Sequence, residues 1–262
     1  MPELFEVPIE DRVIATHQAV HEFRTEPAHR RVRTFYNGVA VADSAEAVLV
    51  MQAKHMPVYY FPAADVRWDL LKASGTVRDG KTLLDLRVGE RAARGAGWTL
   101  DSLPDHVAFY WKTMDAWFEE DEEVYVHPRD PYHRVDVMHS SRHVVVEMFG
   151  QVVAETRRPC LLVETGLPQR WYIPKQDVRM ELLVPSQTTS QCPYKGRARY
   201  WSVRNDERLM HDVAWSYQFP VPECPKIENL VCFFDEQADA VVVDGVRQER
   251  PTTAWSRKPK IT

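Results

Sequence analysis

The 262-residue sequence lacks the features that mark many phosphate-binding and nucleic-acid-binding proteins. Only 10 residues are glycine, and no glycine-rich turn leads into a predicted helix, which argues against a phosphate-binding loop of the kind that begins such a helix. A large surplus of one sign of charge is also missing, because 33 basic residues and 38 acidic residues give a net charge of -5. Such interleaved charge argues against a nucleic-acid partner.

Long apolar runs and clustered cysteines are missing as well. No window approaches the roughly 18 consecutive apolar residues of a membrane span, and the first residues do not form the basic and then apolar pattern of a signal peptide. We therefore expect a soluble, cytoplasmic protein with no membrane partner. The four cysteines lie in the second half without CxxC or His-x3-His spacing, which predicts reduced thiols and no metal site: Cys160, Cys192, Cys224 and Cys232.

The sequence does contain an internal repeat. Residues 38–71 align without a gap to residues 150–183, and 11 of these 34 positions are identical. Unrelated segments of this length would share roughly two identities, so the chain has been duplicated. A weaker match pairs residues 107–109 with 213–215 and residues 124–126 with 231–233.

The strand patterns within each copy predict an all-β protein of two tandem domains. Residues 143–156 show two apolar runs joined by a turn, and Asn37-Gly38 provides a two-residue hairpin signal at the matching position. We place the domains at residues 1–138 and 139–262. Few helices are expected: a helical arm within residues 8–23 of the first domain, and a helix over residues 105–122.

An ordered series of motifs in the second copy resembles the family called domain of unknown function 427. The motifs occupy residues 172–183, 188–203, 212–217, 231–234 and 242–245. The most distinctive of them is Cys192-Pro193-Tyr194-Lys195-Gly196. The first copy resembles the diverged front domain of two-domain members of this family, through residues 60–66 and 117–136.

The resemblance implies a small all-β domain of the kind described as a β-tent, here in tandem. Members linked to a role act mostly in small-molecule metabolism, including dehydration of hydroxylated ring compounds in aromatic natural-product pathways. The family has also been labelled nucleotidyltransferase-like, and we discount that label because no glycine-rich turn in this sequence leads into a predicted helix. Family membership by itself does not determine the chemistry.

Differences between the copies indicate where function lies, because positions shared by both copies are packing residues by default. The first copy has no counterpart of the loop Cys192–Gly196. It has instead the proline-rich loop 127–134, where the second copy has residues 234–239. We expect a single pocket built from one of these loops or from both.

In the Cys192–Gly196 loop, Tyr194 and Lys195 are candidate catalytic residues. A phenol and an ammonium in a short loop could polarise a carbonyl or donate a proton. The alternative is a tight turn whose lysine pairs with a surface carboxylate.

In the second loop, His127 and Asp130 are candidate catalytic residues, and Arg129 and Tyr132 are candidate substrate-binding residues. An imidazole beside a guanidinium and a carboxylate suits acid–base work. The loop also contains His133, and two histidines alone do not make a metal site. The alternative is a hairpin whose charges bond the backbone.

Aromatic residues next to these loops could line a flat apolar slot for a planar substrate, although about two thirds of them should be core. The candidates are Trp111, Tyr172, Trp201, Trp215 and Tyr217. Trp117 and Tyr200 belong to the same set of neighbours. Asp65 and Asp177 occur in both copies and are interpreted as turn or cap residues.

The sequence as a whole favours an acid–base enzyme that needs no cofactor, a dehydratase acting on a hydroxylated cyclic or aromatic intermediate. In this hypothesis His127 removes a proton, Tyr194 or Lys195 helps the hydroxyl leave, and Arg129 and Asp130 position the imidazole and the substrate. The second hypothesis is a non-catalytic protein that binds a small molecule or a partner. Both hypotheses are compatible with a homodimer.

Overall fold

The computed structural model describes residues 24–52, 55–256 and 260–262. Contacts divide these residues into two units, one ending at Asp130 and the other beginning at Pro131. The helical arm expected within residues 8–23 lies outside the described residues. In the described part of the chain, no helix is long and apolar enough to cross a membrane.

The first unit contains two antiparallel sheets. Its strands are β1 (Arg24–Pro27), β2 (Val32–Tyr36), β3 (Val39–Ser44), β4 (Val48–Met51), β5 (Val58–Pro62), β6 (Leu71–Arg78), β7 (Lys81–Val88), β8 (Arg91–Leu100), β9 (Leu103–Phe109), β10 (Ala116–Glu119) and β11 (Glu122–Glu123). The larger sheet has the order β1-β4-β5-β9-β8-β7-β6, and the smaller has the order β11-β10-β2-β3. The main core lies between them.

The second unit repeats this plan in three sheets. Its strands are β12 (Val135–His139), β13 (Val144–Met148), β14 (Gln151–Thr156), β15 (Cys160–Glu164), β16 (Arg170–Tyr172), β17 (Leu183–Cys192), β18 (Gly196–Arg204), β19 (Leu209–Pro220), β20 (Cys232–Phe233), β21 (Ala240–Val243) and β22 (Val246–Arg247). The sheets have the orders β12-β15-β16, β14-β13-β21-β22 and β17-β18-β19-β20. A bridge between Ile173 and Val231 connects the first and last of these.

The helices of the described residues are short 3-10 turns of three residues. They are Ala63–Asp65, Trp68–Leu70, Trp111–Thr113, Lys175–Asp177, Met180–Leu182 and Pro225–Ile227. The all-β prediction with few short helices is therefore confirmed. The helix predicted over residues 105–122 is wrong, because β9, a 3-10 turn and β10 occupy this segment. Long-range pairing of β9 with β5 and β8 outweighs the local pattern.

The duplication is visible in local detail. The β2/β3 hairpin shifts register between Thr34 and Phe35, and the β13/β14 hairpin shifts between Val146 and Glu147, which are the same positions 112 residues later. Both hairpins turn at a glycine in the left-handed region, with φ of 75° at Gly38 and 69° at Gly150.

The two shared aspartates have the same role in each copy. Ser44 donates a hydrogen bond of 2.6 Å to Asp65, and Thr156 donates one of 2.7 Å to Asp177. Each aspartate lies in the 3-10 turn that follows the matching strand. These are turn residues, in agreement with the sequence-based interpretation.

Near the end of each copy, the residues that occupy equivalent places in the sheets are not those that the weak sequence match pairs. Phe61 pairs with Val107 in the first unit, and Ile173 pairs with Val231 in the second, so the offset here is 231 − 107 = 124. Residues 107–109 therefore correspond to residues 231–233 and not to residues 213–215. The second copy is longer between these strands both in the β17/β18 hairpin and in the connection from β19 to β20, which contains the 3-10 turn Pro225–Ile227.

The boundary between the units lies before the predicted position. Strand β12 begins at Val135 and pairs along its whole length with β15, from Val135 opposite Glu164 to His139 opposite Cys160. This ladder makes residues 131–138 part of the second unit, whereas the sequence pattern predicts them at the end of the first domain.

Candidate functional site

The copies differ in the hairpin connection that contains the Cys192–Gly196 loop. In the first unit β6 and β7 are joined by Asp79-Gly80, whose φ values of 52° and 71° suit a tight two-residue turn. In the second unit Cys192 pairs with Gly196, and the three residues between them, Pro193, Tyr194 and Lys195, form a longer loop. The extra loop of the second copy is thus a longer connection between β17 and β18, at the place where a two-residue turn joins β6 and β7.

Gly196 holds this loop against the end of β19. Its φ is 98°, and a Cβ atom there would lie only 3.2 Å from the carbonyl oxygen of Phe219. The Val221 amide also donates a hydrogen bond of 3.2 Å to the Lys195 carbonyl. A side chain at position 196 would strain the backbone and push the loop from the sheet.

Lys195 enters the interior and pairs with Glu164, the last residue of β15. The Lys195 ammonium donates a hydrogen bond to Glu164 Oε2, and the residues are only 8% and 6% exposed. The position that matches Glu164 in the first copy is Gln52, at 164 − 112 = 52, which is exposed. The buried ion pair is therefore particular to the second copy.

His133 completes the cluster. Its Nε2 lies 3.0 Å from Glu164 Oε1, and its ring stacks on the Tyr194 ring with centroids 4.1 Å apart and planes 18° apart. His133 and Tyr194 are half-buried, whereas Glu164 and Lys195 are buried. The cluster therefore reaches the protein surface through the imidazole and the phenol. We call His133, Glu164, Tyr194 and Lys195 the Glu164 site.

Both members of the ion pair keep their charge near neutral pH. Burial works to raise the pKa of Glu164, but the Lys195 charge and hydrogen bonds from His133 and Lys195 outweigh it and lower this pKa to about 2. Burial works to lower the pKa of Lys195, but negative charge at Cys192 and Glu164 raises it. Neither group is thus a proton donor or acceptor at pH 7.

The aromatic candidates in the second unit divide between two faces of one sheet. Tyr172, Trp215 and Tyr217 are buried in a core next to the Glu164 site, where Tyr200 packs against them. Trp201 is adjacent to Tyr200 in β18 and therefore points to the opposite face, against the main core. Trp201 does not line a slot with the other three.

One of these aromatic contacts is a repeated structural feature. Trp215 Nε1 donates a hydrogen bond of 3.1 Å to the Tyr172 hydroxyl, and Trp98 Nε1 donates one of 2.9 Å to Tyr60 in the first unit. Burial raises the pKa of Tyr172 well above its usual value, so this phenol does not ionise. Tyr172 and Trp215 are packing residues in the core next to the Glu164 site.

The remaining candidates lie elsewhere in the chain. Trp111 belongs to the first unit and stacks on Trp117, with the ring centroids 4.5 Å apart, and Trp117 is part of the core of that unit.

The candidates of the proline-rich loop do not form one group. His127 Nδ1 donates a hydrogen bond of 2.7 Å to the carbonyl of the next residue, Pro128. Arg129 forms ion pairs with Glu119 and Glu122 in the first unit. Asp130 ends that unit, and Tyr132 is 49% exposed in the second. Their roles in a shared site stay predictions.

Sequence reasoning did not select Glu164, and it left His133 without a role. The signal for Glu164 was present, because the comparison of the two copies pairs it with Gln52. A charged residue at the end of the apolar run Cys160–Glu164 was a second indication. His133 had no such signal, since its position next to Glu164 depends on the contact of residues 131–134 with β15.

A second buried ionic cluster also escaped the sequence analysis. Arg170 donates two hydrogen bonds to Glu236, at 2.8 and 2.6 Å, and lies 3.7 Å from Asp235. Thr253 donates a hydrogen bond of 2.6 Å to Glu236. One guanidinium thus serves two carboxylates, which leaves an excess of one negative charge. The matching position for Arg170 in the first copy is Val58.

Asp235 is expected to destabilise the protein when it is ionised. Burial raises its pKa to about 6, with a contribution from Glu236 and against the charge of Arg170. Because this pKa exceeds the ordinary 3.8, the folded state binds the proton more tightly, and stability falls as the pH rises from about 4 to 6. We expect Asp235→Asn to raise the free energy of unfolding by about 1 to 3 kcal/mol at pH 8.

Urea denaturation of the Asp235→Asn protein at pH 8 and at pH 4 measures this effect. The gain should be present at pH 8 and nearly absent at pH 4. Asp239→Asn, at an exposed position close by, is the matched control. An equal gain at both pH values would contradict the assignment of the excess charge to Asp235.

Metal ligands are not clustered in the described residues. No group of three or more histidine, cysteine, aspartate or glutamate side chains there is arranged to hold a metal ion. All four cysteines are free thiols.

Comparison with known proteins places the chain in a family. The sequence profile described as "Domain of unknown function (DUF427)" matches twice, over residues 24–120 and 136–244. These ranges cover most of the chain and coincide with the two copies. No curated protein is similar enough to the chain to match it. The chain therefore belongs to the family of domain of unknown function 427, whose domain it contains in two copies.

Proposed function

We propose that the second copy is an acid–base enzyme that removes water from a hydroxylated cyclic or aromatic substrate without a cofactor. The observation that carries this proposal is the Glu164 site, in which a half-buried imidazole is oriented by a buried carboxylate and a buried ammonium. The first copy has neither the loop nor the glutamate. His133 replaces His127 as the proposed base.

The charged state of Glu164 determines which ring nitrogen of His133 is the base. An ionised carboxylate accepts hydrogen bonds only, so Nε2 of His133 carries the proton that faces Glu164 Oε1 at 3.0 Å. Nδ1 then holds the lone pair and is the basic nitrogen. A carboxylate in this position also stabilises the imidazolium that forms when Nδ1 takes a proton.

A single histidine can complete the elimination. Nδ1 of His133 removes the proton next to the carbonyl of a β-hydroxy ketone, and the electron pair of that C–H bond forms the enolate. The C–O bond of the hydroxyl then breaks, the enolate collapses to the conjugated ketone, and the leaving oxygen takes the proton from His133 as water. Atoms and charge balance without any further reactant.

Lys195 and Tyr194 support this reaction in different ways. Lys195 keeps Glu164 ionised and adds positive charge near the developing enolate oxygen. Tyr194 stacks on the imidazole and limits its rotation. A flat ring suits the half-exposed aromatic surface that His133 and Tyr194 form. The dehydration chemistry linked to family members points to the same substrate class, by analogy only.

His133→Gln is expected to lower the dehydration rate at least about 100-fold, which is the usual contribution of a general base. The probes are the β-hydroxy ketones 3-hydroxycyclohexanone and 3-hydroxy-1-tetralone, whose dehydration lowers the mass by about 18 Da and is followed by mass spectrometry. His143→Gln is the matched control, because His143 Nε2 also bonds a glutamate, Glu155, at 2.7 Å but on an exposed face. Its rate should equal that of the wild type.

Deuterium exchange tests the first step separately. In D2O, wild-type protein should exchange the proton next to the carbonyl of either probe faster than His133→Gln does. If both probes bind, with neither exchange nor loss of water, the alternative is supported, namely a protein that binds small molecules or partners without catalysis. Equal rates for His133→Gln and wild type would contradict the role of His133.

A further inference from the structure

A cavity of about 330 Å³ lies in the second unit, at the open end of the β13/β14 hairpin. Ligand pockets in proteins usually measure about 300 to 1,000 Å³, so this cavity has room for a small molecule. None of its lining residues belongs to the Glu164 site. They are His143, Glu155, Thr156, Arg157, Arg158 and Asp177, all of the second unit.

The acidic side chains of this cavity are hydrogen-bonded to other lining residues. Asp177 accepts one hydrogen bond of 2.7 Å from Thr156 and two of 2.9 and 3.0 Å from Arg158, so both of its oxygens are occupied. Glu155 Oε1 lies 2.7 Å from His143 Nε2. Glu155 Oε2 is therefore the one carboxylate oxygen of the lining that has no hydrogen bond to a described residue.

The basic side chains of the cavity have hydrogen-bond donors to spare. Arg157 is exposed, and no hydrogen bond or ion pair joins its side chain to another residue that the structure describes. Arg158 uses Nε and Nη2 for Asp177, which leaves its Nη1 for another acceptor. A guanidinium suits a carboxylate or phosphate group because it can donate two parallel hydrogen bonds to it. The unused groups of this cavity thus favour a ligand rich in acceptor oxygens.

The backbone at the cavity is the same in both copies, whereas the charges differ. The Arg158 amide donates a hydrogen bond of 3.1 Å to Thr156 Oγ1, and the Glu46 amide donates one of 2.9 Å to Ser44 Oγ, 112 positions earlier. The six positions of the first copy are Arg31, Asp43, Ser44, Ala45, Glu46 and Asp65. They carry one basic and three acidic side chains, against two basic and two acidic ones in the second copy. The backbone therefore does not require Arg157 and Arg158.

We propose that this cavity binds a small molecule through an oxyanion, which is a carboxylate or a phosphate group. Arg157 makes the main contact, and Nη1 of Arg158 makes the second. Arg158 keeps its two hydrogen bonds to Asp177, so binding separates no existing ion pair. The site is independent of the proposed dehydratase activity.

The first copy serves as an internal reference for this proposal. Three acidic side chains at the matching positions repel an anion, and Ala45 stands in the place of Arg157. We therefore expect an oxyanion to bind near residues 155–158 and not near residues 43–46.

Nuclear magnetic resonance titration of the full-length protein, labelled with 15N, tests the proposal. The probes are inorganic phosphate and succinate, each added at constant ionic strength against sodium chloride. We expect saturable shifts of the backbone amides of residues 155–158 with at least one probe, and the probe that binds more tightly identifies the preferred oxyanion. Arg157→Ala should weaken this binding at least about 10-fold, because hydrogen bonds between charged groups are lost. Arg197→Ala, which removes another exposed arginine of the second unit, should bind as the wild type does.

Three results would overturn the proposal. The first is wild-type protein whose amides at residues 155–158 show no saturable shift with either probe. The second is equal affinity of the wild type and Arg157→Ala, since other groups would then hold the anion. The third is an equal response of residues 43–46, which would show general screening of surface charge. Two of these results come from the wild-type chain alone and do not depend on the folding of any variant.

Discussion

Replacing Lys195 by methionine is expected to lower the free energy of unfolding by about 3 to 5 kcal/mol at pH 7. The methionine keeps most of the buried length of the side chain but leaves the Glu164 carboxylate, which is 6% exposed, without its cation. The low pKa of Glu164, about 2, shows how far its ionised form depends on its partners. A buried carboxylate without its cation is among the most destabilising changes that a single substitution produces.

Equilibrium urea denaturation measures this loss, and pH gives it a signature. The favourable contribution of Glu164 is present above the ordinary pKa of 4.5 and is lost as the pH falls toward 2. In Lys195→Met the carboxylate can instead take a proton in mild acid, so the difference from wild type should shrink between pH 7 and pH 4. Lys72→Met, at an exposed position, should cost less than about 0.5 kcal/mol.

A double variant separates the ion pair from general damage to the loop. Lys195→Met combined with Glu164→Leu removes both charges and should recover most of the stability that Lys195→Met loses. If the double variant is less stable than Lys195→Met alone, the loss arises from packing and not from an unpaired carboxylate. A loss below about 1 kcal/mol in the single variant would also contradict this account.

Arg170→Met is expected to lower the free energy of unfolding by a similar amount, about 3 to 5 kcal/mol at pH 7. It removes the only cation shown to contact Asp235 and Glu236 in the described residues, and the Glu236 side chain is fully buried. It also removes the guanidinium from above the Trp215 and Phe234 rings, which lie 5.8 and 5.9 Å from it. Thermal unfolding at several pH values measures the effect, which should decrease below about pH 6 as Asp235 takes a proton.

Arg158→Met is the matched control for Arg170→Met. Arg158 also makes a two-point contact with a carboxylate, at 2.9 and 3.0 Å from Asp177, but its side chain is 64% exposed. Solvent weakens such a pair, so its loss should cost less than about 1 kcal/mol. Equal losses for the two arginine variants would show that burial does not govern the strength of the Arg170 cluster.

The two ionic clusters flank one buried aromatic layer in the second unit. Trp215 contacts Tyr172 through its indole nitrogen and lies below Arg170. The same tryptophan–tyrosine hydrogen bond occurs in the first unit, between Trp98 and Tyr60, where neither ionic cluster has formed. The common ancestor of the copies therefore had the aromatic layer, and the charged groups distinguish the second copy from the first.

Several features of the fold could be predicted from the sequence because they depend on local signals. The duplication is visible in 11 identities over 34 positions, and the hairpin at Asn37-Gly38 depends on residues that favour a left-handed turn. The family assignment came from ordered motifs in the same way. The predicted helix over residues 105–122 failed because β9 forms through pairing with β5 and β8, partners that no local pattern contains.

The site required the tertiary structure for one physical reason. His127 and His133 are six positions apart in one loop, and the sequence offers no means to choose between them. The choice arises because Thr165 and Arg134 exchange backbone and side-chain hydrogen bonds, which hold His133 next to Glu164. The amino-acid sequence alone thus determined the repeated all-β plan and the loop that only one copy has. Which charges meet in that copy was decided by long-range strand pairing, since electrostatic contacts depend on distance in space and not along the chain.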